Sequence, residues 1–253
     1  MRSLIIAFSL YSRIPMPGCE WNEQDMKYSM CFFPLVGAVL GLCSAGVYFG
    51  MEALGFGEIS RAIVLSALPI LVTGGIHMDG YLDTVDAKSS WRSREEKLEI
   101  LKDPHMGAFA CVYGMVYLLL TVAFFCEVGS REMFGVAIGY VFSRILSACS
   151  VVTFRKAKRE GMAAASAKAA AGWVRWILFL ELVVCAIGMT AACPAYGLTS
   201  LIVGACCFGW YRHMAYKSFG GITGDLAGYF LQICELGILV GIVLVSKVSG
   251  YAG

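Results

Sequence analysis

Tyr28–Met51 reads YSMCFFPLVGAVLGLCSAGVYFGM, twenty-four residues without one charged side chain. As a helix rising 1.5 Å per residue it is about 36 Å long, enough to cross a hydrocarbon layer of roughly 30 Å. Six further apolar stretches follow it: Arg61–Gly75, Gly107–Glu127, Phe134–Phe154, Trp173–Cys193, Leu198–Tyr211 and Gly228–Lys247. The second and sixth of the seven are short and are expected to be tilted or broken. The whole chain is 58% hydrophobic and 15% charged, whereas a soluble domain is about one-quarter charged. A soluble globule of 253 residues has no core large enough to hide that surface. The expected fold is therefore all-α, a polytopic transmembrane helix bundle of about seven spans, with residues 1–253 forming one integral membrane domain. Arg2–Tyr11 is apolar but short, and no small-residue cleavage site follows it. It reads as an interfacial or partly inserted helix rather than a signal peptide.

The basic residues orient the bundle. With a cytoplasmic N-terminus, the inside receives Arg2, Arg13, Lys27, Lys88, Arg92, Arg94, Lys97, Lys102, Arg155, Lys156, Lys158, Arg159, Lys168, Arg175, Arg212 and Lys217. The outside receives Arg61, Arg131 and Lys247, and Arg144 lies within a span. Inverting the protein would reverse that bias, so the expected N-terminus is cytoplasmic. The net charge of +2 gives no basis for nucleic-acid binding. Eleven cysteines form no C-x-x-C pair and lie mostly in apolar runs, as small buried hydrophobes do.

Three inside segments are polar and long enough for chemistry: 76–106, 155–172 and 212–227. The first contains His77-Met78-Asp79-Gly80-Tyr81-Leu82-Asp83-Thr84-Val85-Asp86. Asp79, Asp83 and Asp86 stand at i, i+4 and i+7, within about 60° of arc on one helix face. Three carboxylates so placed repel one another, and a divalent cation relieves the repulsion. Oxygen-only ligands favour Mg²⁺ or Mn²⁺ over zinc. His77 is a candidate base. Asp103 could extend the cluster and Lys102 could hold a phosphate, although Asp103-Pro104 is also an ordinary helix start. In Ser218-Phe219-Gly220-Gly221-Ile222-Thr223-Gly224-Asp225, Gly220, Gly221, Thr223 and Gly224 offer backbone amides and a helix N-terminus to phosphate, and Asp225 offers another metal ligand. The basic loop Arg155–Met162, with Arg159 as the favoured residue, is either a topology determinant or a phosphate clamp. Ionisable groups inside spans usually face the bundle interior and pair. Arg144 with Glu235 is one such pairing, structural or substrate-orienting, and Glu181 is a rival acid.

The block from Gly74 to Ala87 resembles the signature of the cobalamin synthase family, the adenosylcobinamide-GDP ribazoletransferases. Arg13-Ile14-Pro15, Phe33-Pro34-Leu35-Val36-Gly37, Asp103 to Gly107, Arg159-Glu160-Gly161-Met162, Gly220 to Asp225 and then Glu235 recur in that family's order. Departures fall beside the acids and not on them: Met78, Tyr81-Leu82, Pro104-His105-Met106 and Ala110. The resemblance implies a Mg²⁺-dependent transferase in a bacterial or archaeal cytoplasmic (inner) membrane. It would join adenosylcobinamide-GDP to α-ribazole or its 5′-phosphate and release GMP. Beyond those substrates and the lipid bilayer, candidate partners are a second copy of the chain and other cobalamin-assembly enzymes.

Two rival readings also use spaced acids. CDP-alcohol phosphotransferases and aspartate-rich prenyltransferases place them at a helix mouth, with different spacing from that seen here. An ion-coupled secondary transporter would put them near mid-bilayer and usually shows repeat symmetry, which this sequence lacks.

Overall fold

The computed structural model describes residues 2–18, 23–158, 161–170 and 172–250. Among these residues the chain is helical throughout, with one isolated bridge between Lys156 and Ile222. The helices in order are α1 (Arg2–Tyr11), α2 (Glu23–Met26), α3 (Ser29–Ala53), α4 (Glu58–Thr73), α5 (Ile76–Ser89), α6 (Arg94–Ile100), α7 (Ala108–Phe125), α8 (Ser130–Thr153), α9 (Met162–Ala169), α10 (Val174–Ala192), α11 (Pro194–Phe219) and α12 (Gly224–Ser249). Helices dominate because hydrocarbon offers the backbone no partner, and a helix satisfies its own amides and carbonyls.

Five of these helices, α3, α7, α8, α10 and α12, are long and apolar enough to cross a membrane. Large apolar side chains stand exposed along α7 (Phe109, Val112, Val116, Leu119) and α10 (Trp176, Phe179, Leu180, Ile187). In water that surface would be a liability; against lipid it is the expected exterior.

The two short expected spans differ from their sequence outline. Arg61–Gly75 corresponds to α4, which ends at Thr73. Gly74 and Gly75 follow at φ values of 66° and 80°, a backbone region that glycine enters without steric cost. The chain then leaves as α5, bent by 96° from α4. Counted together, α4 and α5 make a sixth candidate span. Leu198–Tyr211 lies inside α11, which has 26 residues but carries Arg212, His213 and Lys217 in its last turns and is not among the helices apolar enough to qualify.

The side chains sort to two ends. At one end, Glu52, Glu58, Arg61, Glu127, Arg131, Glu132 and Lys247 line a single recess. Here Glu132 accepts from the Tyr196 hydroxyl and, at 2.6 Å, from Ser246 Oγ, so that one buried carboxylate joins α8, α11 and α12. The three bases expected outside, Arg61, Arg131 and Lys247, all lie at this end. The other end holds Asp79, Lys158 and Asp225 around a cavity.

Between the ends, Arg144 of α8 and Glu235 of α12 form the expected pair. Arg144 Nη1 donates to Glu235 Oε1 at 2.6 Å and to the Tyr140 carbonyl at 2.9 Å, and Ser143 Oγ donates to the same carboxylate at 3.2 Å. Their side chains are 1% and 8% exposed. Glu181, on α10, leaves Oε2 without a hydrogen-bond partner. The ten described cysteines are free; Cys31 and Cys234 are buried as expected, whereas Cys43, Cys111 and Cys206 are exposed on the helix surfaces.

Removing one member of a buried pair strands the other, at a cost of about 3–5 kcal/mol. Arg144→Met is therefore expected to lower the melting temperature in detergent sharply. The double variant Arg144→Met/Glu235→Leu is expected to recover most of that loss.

Candidate active site

The site is assembled where α5 meets α12. A Cβ on Gly80 would fall 2.6 Å from the Asp225 carbonyl oxygen, and a Cβ on Gly228 would fall 3.0 Å from the His77 carbonyl oxygen. Only hydrogens at these positions let the two backbones touch. Asp79, next to Gly80, and Asp83, one turn further on, are thereby brought near Asp225, which lies 146 and 142 residues after them in sequence.

The basic loop is fixed to the same place. Ile222 N donates to the Arg155 carbonyl and Ala157 N donates to the Ile222 carbonyl, both at 2.9 Å. Arg155 Nε donates to the Gly220 carbonyl at 2.8 Å. Gly220, at φ 78°, ends α11 in the left-handed conformation, and a Cβ on Gly221 would fall 2.6 Å from the Arg155–Ala157 backbone. These two glycines shape the backbone and do not line the cavity. Thr223 caps α12, its Oγ1 accepting from Leu226 N at 3.2 Å.

A cavity of about 440 Å³ opens at this junction, lined on its polar side by Asp79, Lys158, Thr223, Gly224 and Asp225. The N-terminus of α12 supplies positive dipole there. Among the described residues, Lys158 is the lysine or arginine that lines this cavity. The loop was evident from sequence, but Arg159 was the favoured residue, and Arg159 lies outside the described residues. Lys156 turns back and donates to the Phe154 carbonyl at 2.6 Å; its burial pushes its pKa down to about 8.

The other expected ligands separate. Asp86 is used structurally: its oxygens accept from Gly107 N at 2.6 Å and Ala110 N at 2.8 Å, capping α7. Asp103 is exposed and accepts from the His105 backbone N–H at 2.9 Å, with the His105 ring 2.7 Å away. These bonds hold the Asp103 carboxyl below its usual range. Lys102 pairs with Glu99 at 2.7 Å on the surface. Neither Lys102 nor Asp103 lines the cavity. Arg144 and Glu235 bind each other in the bundle and are not among the cavity's lining residues.

α5 has 14 residues, too few to cross a membrane by itself, and turns 96° off the α4 axis. Within it, the Asp83 carboxyl is pushed up to about 7, first by burial and then by the charges of Asp79, Asp225 and Asp86. His77 lines the cavity, its Nε2 has no protein partner, and burial followed by the nearby Arg144 charge pushes its pKa down to about 3. Among the described residues, no three His, Cys, Asp or Glu side chains converge into a complete metal cage. Mg²⁺ needs none: it takes one or two carboxylates and completes its shell with water and phosphate. The crowded all-oxygen donors Asp79, Asp83 and Asp225 fit that habit.

The description Cobalamin-5-phosphate synthase belongs to the family model that matches residues 3–243. The chain belongs to that family. A relative from Lachnoclostridium phytofermentans, named adenosylcobinamide-GDP ribazoletransferase, is 44% identical over 99% of this chain and 97% of its own length. Relatives of the same name from Clostridium botulinum strain Alaska E43 and from Azorhizobium caulinodans are 28% and 29% identical, covering 93% and 95% of this chain and 94% and 95% of their own. No solved structure matches.

Two outcomes are expected for this cobalamin-5-phosphate synthase family member. Asp86→Ala should loosen the start of α7, at a cost of about 1–2 kcal/mol, read as faster amide exchange at residues 107–111. The raised Asp83 carboxyl means that the folded protein binds a proton the unfolded chain releases between its ordinary pKa and about 7. Stability should therefore fall as pH rises through that window. Melting in detergent without divalent cations should occur lower at pH 8 than at pH 5.5, and Asp83→Asn should flatten the difference.

Proposed function

We propose that this protein joins adenosylcobinamide-GDP to α-ribazole, or α-ribazole 5′-phosphate, giving adenosylcobalamin or its 5′-phosphate and GMP. The observation that carries the reading is the full-length relative of that name, supported by a carboxylate cluster beside a phosphate-friendly helix start. Family membership removes the reason to prefer the phosphotransferase, prenyltransferase or transporter alternatives.

The ribazole 3′-hydroxyl attacks the phosphorus attached to the cobinamide arm. A P–O bond forms there, the bond to the GMP oxygen breaks, and GMP leaves with that oxygen. Asp79, Asp83 and Asp225 are the residues that would hold Mg²⁺. When bound, that ion would act as a Lewis acid and offset charge developing on the leaving group. Lys158 and the N-terminus of α12 hold the anionic phosphates against Asp79 and Asp225. A carboxylate of this cluster, or His77, takes the hydroxyl proton. The excess of bases at the cavity end supports a cytoplasmic orientation for the site and the N-terminus, in the inner membrane of a prokaryote.

The test is product formation by the protein in membranes, from both substrates. Cobamide and GMP are expected in equal amounts with Mg²⁺, and neither after chelation. Asp83→Asn should cut turnover by about a hundredfold or more. Turnover within severalfold of the parent would overturn the assignment of the metal-binding cluster.

A further inference from the structure

The lining of the cavity divides by chemistry. Away from the carboxylates, its wall is built by Tyr11 of α1, Met30 and Phe33 of α3, and His77 of α5. The Tyr11 and His77 rings are nearly parallel, 21° apart, with centroids separated by 6.3 Å. Phe33 closes the corner, 4.4 Å from Tyr11 and 5.8 Å from His77. Ala163 and Ala164 of α9 face the same space, and their small side chains keep it open. Three aromatic rings gathered beside a phosphate site form a surface on which a flat base stacks. His77 is 5% exposed and its Nε2 lacks a protein partner. A buried polar atom left unpaired is costly, and a ligand atom can satisfy it.

We infer that this aromatic wall is the binding site for the benzimidazole base of the ribazole substrate, with His77 Nε2 facing the base's free ring nitrogen. The inference rests on the proposed reaction and adds which substrate enters the cavity. Three groups compete for the space. The corrin macrocycle of a cobinamide carries many polar amide arms, which this apolar wall would leave unpaired. Guanine carries polar groups around most of its edge, and this wall would leave most of them unpaired. Dimethylbenzimidazole has one free ring nitrogen and otherwise only apolar edge, which matches one unpaired imidazole nitrogen among apolar neighbours. The nucleoside would then sit with its base on the rings and its ribose toward Asp79 and Asp225. The diphosphate of the larger substrate reaches in only at the polar side.

The experiment separates the two substrates. In the parent protein in detergent, without Mg²⁺ or the second substrate, α-ribazole should raise the melting temperature, and free dimethylbenzimidazole should compete with it. Tyr11→Leu and His77→Leu should each raise the KM for α-ribazole roughly tenfold to a hundredfold, the range expected for losing one base-stacking or buried polar contact. The KM for adenosylcobinamide-GDP should stay within about twofold, a separation that a general loss of structure would not produce. His77→Gln, which keeps a hydrogen-bonding nitrogen, should recover most of the His77→Leu effect. The inference is overturned if GDP or GMP shifts the melting temperature of the parent and α-ribazole does not. It is also overturned if the variants raise the KM for adenosylcobinamide-GDP instead. Should a variant fail to fold, the ligand shifts of the parent decide. Failure of the proposed function is a different result: the parent then yields no cobamide from the two substrates.

Discussion

The backbone contact between α5 and α12 is the constraint on which the site depends. Lipid gives helices little hydrophobic reason to associate, so close packing has to supply it. At Gly80 and Gly228 there is no side chain, and the two main chains meet. The same absence of bulk brings carboxylates from distant parts of the chain together. A residue that packs like glycine is therefore also what concentrates negative charge. The repulsion among Asp79, Asp83 and Asp225 is held in place by van der Waals contact along the whole crossing.

Around that crossing, several polar groups in or near the apolar phase are paired. Arg144 and Glu235 neutralise each other. Asp86 satisfies two of the amides that begin α7, amides that every helix start otherwise leaves open. The short bridge between Lys156 and Ile222 ties a basic loop to a glycine loop and carries Lys158 to the phosphate side. His77 Nε2 is one of the buried polar atoms left unpaired, and it lies beside the open cavity.

Much of this was legible in the sequence, and the rest was hidden for physical reasons. Apolar length identified the long spans, and helical spacing put Asp79 and Asp83 on one face. The cost of charge in lipid implied an acid partner for Arg144, but only packing selects Glu235 over Glu181. Asp86 shared that spacing, but its partners lie 21 and 24 residues on, and no local pattern announces a cap supplied from another helix. Gly220 and Gly221 carried the composition of a phosphate loop, while their work is a helix stop and a tight backbone approach. Lys158 is one of several bases in a short basic run, so composition could not say that it lines the cavity. The Gly74-Gly75 bend was visible only as shortness of the second span. Turning angles depend on φ, which two adjacent glycines leave undetermined until packing selects them.

The buried carboxylate of Glu132 has a mechanical consequence. By accepting from Tyr196 and Ser246 it clamps three helices at the end remote from the cavity, like the collar of a tripod. Helices pinned at one end can splay only at the other. At that other end α8, α11 and α12 are tied again by the 155–158 loop, through the Arg155–Gly220 and Ala157–Ile222 bonds, so the cavity keeps its width between two sets of ties.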